Sequence, residues 1–100
     1  MRIIAKRTLR HFWETNPRGA EARVPLQVWH STVEGKDWNS PADVKAIYRD
    51  ASILKNGRVV FNIGGNRFRL VVRINYPYRI VYIRFVGTHD EYDCIDAETI

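Results

Sequence analysis

The segment Thr88-His89-Asp90-Glu91-Tyr92-Asp93 gathers several groups able to accept or donate protons within six residues. Histidine is the side chain best matched to proton transfer near neutral pH, and a tyrosine hydroxyl can donate to a leaving or phosphoryl oxygen. Thr88 is placed to cap a short terminal helix, with Glu91 three residues on completing a capping box. His89 and Tyr92 then lie on one side of that turn. Two arginines on the preceding apolar runs, Arg69 and Arg84, could stabilise the charge of a phosphorane-like transition state. Such a set can cleave RNA without a metal ion, by activating the 2′-hydroxyl next to the broken bond.

Charge supports an anionic partner. The chain of 100 residues carries 16 basic and 11 acidic side chains, a net +5, with pI near 9.7. The charges are segregated. All 16 bases and only 6 acids fall in residues 1–85, whereas residues 86–100 hold 5 acids and no Lys or Arg. Twelve of the bases are arginine, whose planar fork suits phosphate. RNA, DNA or an acidic protein are the partners this implies. Cys94 is the single cysteine, which excludes a disulfide framework or a cysteine-based zinc site and fits a reducing compartment. No apolar run is long enough to span a membrane, and Met1–Arg7 lacks the apolar stretch of a signal peptide. The chain reads as one domain over residues 1–100, in the cytoplasm, with no membrane association.

The elements that must position these groups are helices first and strands afterwards. Ile4, Leu9, Phe12 and Trp13 recur near helical spacing until Asn16-Pro17, with a short strand at Ile3-Ile4 as the alternative start. Ala22, Leu26, Trp29 and Val33 give a second helix ending near Gly35, kinked or begun at Pro25. Ser40-Pro41 starts a third, through Ile47. Residues 58–63, 67–74 and 79–86 then alternate at period two. This order predicts an α+β domain: N-terminal helices on one face of a small antiparallel sheet.

Phase sharpens the expectation. Val59, Phe61 and Ile63, then Phe68, Leu70, Val72 and Ile74, then Val81, Ile83 and Phe85, form the core face. If Gly64-Gly65 is a two-residue turn, Phe61 opposes Phe68 and Asn62 opposes Arg67. If the next hairpin closes around Tyr76-Pro77, Arg69 directly opposes Arg84, with Arg58, Arg67 and Arg73 nearby on the same face. Like charges facing across strands are unfavourable unless an anion binds them. Basic groups with aromatics on a sheet suit single-stranded RNA. The other candidates read structurally: His11 and His30 as helix residues, Cys94 as a small hydrophobe, and Asp90 to Glu98 as an acidic, solvated tail rather than a metal site. Gly64-Gly65 lacks the spacing of a phosphate loop.

The run Phe61-Asn62-Ile63-Gly64-Gly65-Asn66-Arg67-Phe68-Arg69-Leu70, then Ile83-Arg84 and Thr88-His89-Asp90-Glu91-Tyr92-Asp93, closely resembles the HigB branch of the RelE-like toxins. The resemblance implies a type II toxin–antitoxin component that cleaves mRNA on the ribosome, without a cofactor or metal. It also implies a cognate helix-turn-helix antitoxin. Carried over to this chain, it implies catalytic roles for Arg69 and Arg84 on the scissile phosphate and for His89 as general acid or base. Tyr92 would orient substrate or assist proton transfer, and Asp93 would hold His89 or a nearby base. It further implies RNA contacts from Lys55, Asn62, Arg67 and Arg73. A non-catalytic RNA-binding module using the same basic face is the alternative, and a domain that binds only an acidic protein is the third reading.

Overall fold

The computed structural model describes residues 1–100. Its strands are β1 (Arg2–Ile4), β2 (Ser52–Ile53), β3 (Arg58–Ile63), β4 (Phe68–Asn75) and β5 (Ile80–Thr88). Its helices are α1 (Lys6–Thr15), α2 (Arg23–Glu34), α3 (Pro41–Ile47) and the short α4 (His89–Tyr92), with a 3₁₀ turn at Gly19–Ala22. The sheet order is β1-β5-β4-β3-β2. All neighbours are antiparallel except β1, which lies parallel to β5 at the edge, pairing Ile3 with Val81. The expected α+β architecture is therefore present, with one parallel edge strand in place of a wholly antiparallel sheet.

The period-two residues build the core as expected on β3 and β4. Val59, Phe61 and Ile63, with Phe68, Leu70, Val72 and Ile74, are buried against Leu9, Phe12, Leu26, Trp29, Val33 and Val44 of the helices. Phe61 is the hub. Its ring meets Trp29 at 5.4 Å and Tyr48 at 5.0 Å edge-on, and stacks on Trp38 at 6.4 Å. Pro25 lies in the first turn of α2, where its missing N–H costs nothing. Ser40 is the N-cap residue of α3 but its side chain makes no cap bond. Instead the Asp43 carboxylate accepts from the Asn39 N–H at 2.8 Å.

Both hairpins depart from the expected register by two residues. Phe61 opposes Leu70 and Asn62 opposes Arg69, so the first turn has four residues, Gly64–Arg67. Gly64 and Gly65 take φ of +62° and +72°, the left-handed region glycine tolerates. Arg67 belongs to that turn, its Nε donating to the Gly64 carbonyl at 3.2 Å. In the second hairpin Asn75 opposes Ile80 and Ile74 opposes Val81. A shift of two leaves every side chain on its own face, so hydrophobic alternation constrains only the parity of the register.

A β-bulge on β5 corrects the third strand more deeply. Val72 opposes Ile83, but Val71 opposes Phe85, leaving Arg84 as the extra residue. Beyond it the phase flips: Val86 packs on the main core and Phe85 on the other face. That second face is not open throughout. Val60, Val71 and Phe85 are covered there by Leu54 and by Tyr92, Ile95, Ala97 and Ile100. The acidic tail thus docks through its apolar residues, leaving Asp90, Asp93, Asp96 and Glu98 exposed.

One glycine sets the joint between α1 and the rest of the helical layer. A Cβ on Gly19 would lie 2.3 Å from the Phe12 carbonyl oxygen and 2.7 Å from the Trp13 Cα. Both are backbone atoms within a packed turn, so neither can yield cheaply. Gly19→Ala is expected to destabilise the domain by about 1–3 kcal/mol, read as a lowered urea midpoint with an unchanged m-value.

Candidate active site

The chemistry-bearing residues of the C-terminal segment sit where β5 passes into α4. The Thr88 hydroxyl accepts from the Glu91 N–H at 3.2 Å, and Glu91 Oε1 accepts from the Thr88 N–H at 2.8 Å. The expected capping box is complete. The His89 N–H donates to the Arg67 carbonyl at 3.2 Å, so the first residue of α4 is tied to the β3–β4 turn. Next to this junction, Asn62, Arg69 and Gly87 form one cross-strand row over β3, β4 and β5.

His89 Nδ1 lies 3.2 Å from Asp93 Oδ2, one helical turn on, with both side chains about half exposed. With a proton on Nδ1, His89 donates a hydrogen bond to the Asp93 carboxylate and Nε2 remains free to exchange protons with a substrate. Tyr92 is half-buried on the Val60, Val71 and Phe85 cluster, which fixes its ring beside the junction. Arg69 Nη1 donates to the Asn66 carbonyl at 3.1 Å and the Phe68 carbonyl at 3.3 Å. The side chain is therefore braced at the turn and makes no ion pair. Asn62 Nδ2 donates to Asp50 Oδ2 at 3.1 Å, and Arg67 pairs with Glu21 at 2.9 Å.

The structure thus gathers Asn62, Arg67, Arg69, His89, Tyr92 and Asp93 at one end of the sheet. It does not place Arg84 opposite Arg69. Because of the bulge and the shifted hairpin, Arg69 faces Gly87, and Arg84 lies three residues further along β5, roughly 10 Å away at strand rise. Arg84 instead covers the Tyr82 ring, its Cζ 5.8 Å from the centroid. Arg73 faces Arg58 and Tyr82, and exposed Lys55 precedes β3 at that same far end.

Asn16 is a site-supporting residue that sequence reasoning did not find. Its Nδ2 donates to Glu91 Oε2 at 3.1 Å, linking the end of α1 to α4 across 75 positions. Nothing local in the sequence signals that contact. His89, Asp90 and Asp93 also bring three donor atoms within 4.8 Å of one another, all exposed. Zinc in structural sites takes four protein ligands, and here Nδ1 already meets a carboxylate. Burial, helped by Lys6, lowers His30, and burial raises Tyr48 and Tyr76.

Residues 22–95 match the family model of the HigB toxin, described as a RelE-like toxic component of a toxin–antitoxin system. The chain belongs to this family. Among its relatives are the mRNA interferase toxin HigB of Escherichia coli K12 and the mRNA interferase HigB of Shigella flexneri. Each is 30% identical over 99 residues, covering 97% of this chain and 92% of the relative. The mRNA interferase HigB of Escherichia coli O6:H1 is 24% identical over 95 residues, covering 93% and 89%. The family match spans α2 through α4 and includes the hairpin, the bulged strand and the capped His89 turn. No helix is long and apolar enough to cross a membrane.

Proposed function

We propose that this HigB-family chain is a cytoplasmic, ribosome-dependent and metal-independent mRNA endoribonuclease, held in check by a cognate helix-turn-helix antitoxin. The observation that carries the reading is the junction of β5 and α4, where the His89–Asp93 pair is hydrogen-bonded onto the turn that braces Arg69. The named relatives are mRNA interferases, and the geometry suits that chemistry.

In the proposed reaction a general base removes the proton of a 2′-hydroxyl, whose oxygen attacks the adjacent phosphorus. The 5′-oxygen leaves and takes a proton from a general acid. A 2′,3′-cyclic phosphate and a 5′-hydroxyl result. His89 Nε2 serves one of these proton transfers, with Asp93 holding the ring through Nδ1. Arg69 neutralises the charge that builds on the phosphoryl oxygens. Tyr92 orients the substrate or assists a proton transfer. Arg84, three residues along β5 from the Arg69 row, contacts RNA flanking the scissile phosphate. Asn62 and Arg67 hold RNA at the hairpin, and Arg73 and Lys55 hold it further along.

Metal independence has its own test. Asp90 belongs to the exposed three-donor cluster but takes no part in the proposed reaction. Asp90→Asn is expected to leave mRNA cleavage in a cell-free translation reaction within twofold of wild type. A loss of tenfold or more, restored by added manganese, would overturn the metal-free reading.

A further inference from the structure

We propose that the far end of the basic sheet face holds a second subsite, which binds single-stranded RNA flanking the cleaved bond through one phosphate and one stacked base. The inference rests on the proposed function only for naming RNA as the ligand.

A groove of about 720 Å³ opens there, within the usual range for a ligand site. Its floor is a cross-strand row of Arg58, Arg73 and Tyr82 on β3, β4 and β5. Asn56 and Asn75 stand beside it, and no carboxylate lines it. Arg58 directly opposes Arg73, an arrangement that weakens a sheet unless an anion is shared between the two. Arg73 and Arg84 make no ion pair within the chain, whereas Arg58 already donates to the oxygen of the last residue, Ile100.

Arg58 is held in advance. Its Nε and Nη2 donate to the Ile100 backbone oxygen at 3.2 and 2.7 Å, and its Nη1 lies 3.4 Å from the Asn56 carbonyl. Two of its five N–H groups remain for a ligand. Arg73 is exposed and lies four residues along β4 from Arg69, about 13 Å at strand rise. The groove is therefore separate from the reacting phosphate but on the path of the same strand. The bulge at Arg84 is what completes it, since bulges re-aim side chains. The Arg84 guanidinium lies over the Tyr82 ring, making a layered cationic and aromatic surface of the kind on which nucleobases stack. Phosphate is thus recognised by Arg58 and Arg73, and the base by the Arg84–Tyr82 layer. An acidic peptide would satisfy the arginines but has no use for the stack.

The test is binding of fluorescent hexauridine to the intact chain, followed by anisotropy across a salt series and by backbone amide NMR. Polyphosphate and hexaglutamate serve as competing anions. Hexauridine is expected to shift the amides of Asn56 to Arg58, Arg73 to Asn75 and Tyr82 to Arg84. The double variant Arg58→Gln with Arg73→Gln should bind about tenfold more weakly, with the salt slope reduced by about 1.4. Tyr82→Leu should weaken hexauridine by about tenfold with the slope unchanged, and should leave polyphosphate binding unaffected. Shifts confined to the hairpin and α4, an unchanged salt slope, or hexaglutamate binding that depends equally on Tyr82 would each overturn the proposal. No step of this test requires cleavage, so a catalytically inert chain would contradict the proposed function while leaving the subsite intact.

Discussion

His89→Ala and Arg69→Ala should each lower the rate of mRNA cleavage by about 10²- to 10⁴-fold while leaving the chain folded. The lower bound corresponds to losing one proton-transfer group, and a comparable factor attends the loss of a preorganised charge-stabilising donor. Both side chains are at the surface or partly so, and neither contributes to the core. Their removal should therefore move stability by no more than about 0.5 kcal/mol. Asp93→Asn should fall between these variants and wild type, because the His89 ring keeps its place but loses the carboxylate that orients it. Cleavage rates from primer extension, set beside thermal melts of the same preparations, check all three. A binding module would behave differently: arginine losses would weaken RNA affinity, and His89→Ala would change little.

Phe61→Ala should have the largest effect on the fold, about 3–5 kcal/mol. The side chain is 1% exposed and its ring touches three other aromatics, from α2, from the segment before α3 and from the residue after it. No neighbour can close the space, since Trp29 and Trp38 are themselves buried and hemmed in. That cost is a large part of the roughly 5–15 kcal/mol typical of a whole domain. Urea unfolding would show the midpoint collapse. Activity would be lost as well, because Asn62 and the Arg69 pairing follow directly on this strand. The contrast with His89→Ala, inactive but folded, separates the scaffold from the site.

The helices and the core face of β3 and β4 were legible because burial imposes a period on the sequence: Leu26, Trp29 and Val33 at helical spacing, Phe68, Leu70, Val72 and Ile74 at period two. The capping box was legible because Thr88 and Glu91 are local. What alternation cannot carry is the absolute register. Both hairpins slid by two residues with every face preserved. A bulge leaves no such trace here, because Phe85 and Val86 are both apolar and either can continue the core face begun by Ile83. Without it Phe85 falls on the wrong face, and the bulge and the two-residue slip together move Arg84 away from Arg69. The parallel pairing of β1 with β5 and the Asn16 to Glu91 bond depend on segments distant in sequence, where no local pattern reports them. The docked tail is of the same kind. Its acids dominate its composition, while Tyr92, Ile95, Ala97 and Ile100 decide where it lies.

The most direct test of the central claim is primer-extension mapping of an mRNA in a cell-free translation reaction, with wild-type protein and His89→Ala side by side, with and without ribosomes. Discrete cuts that require both the wild-type chain and translating ribosomes are expected. Intact mRNA with folded wild-type protein, or equal cutting by His89→Ala, would contradict it.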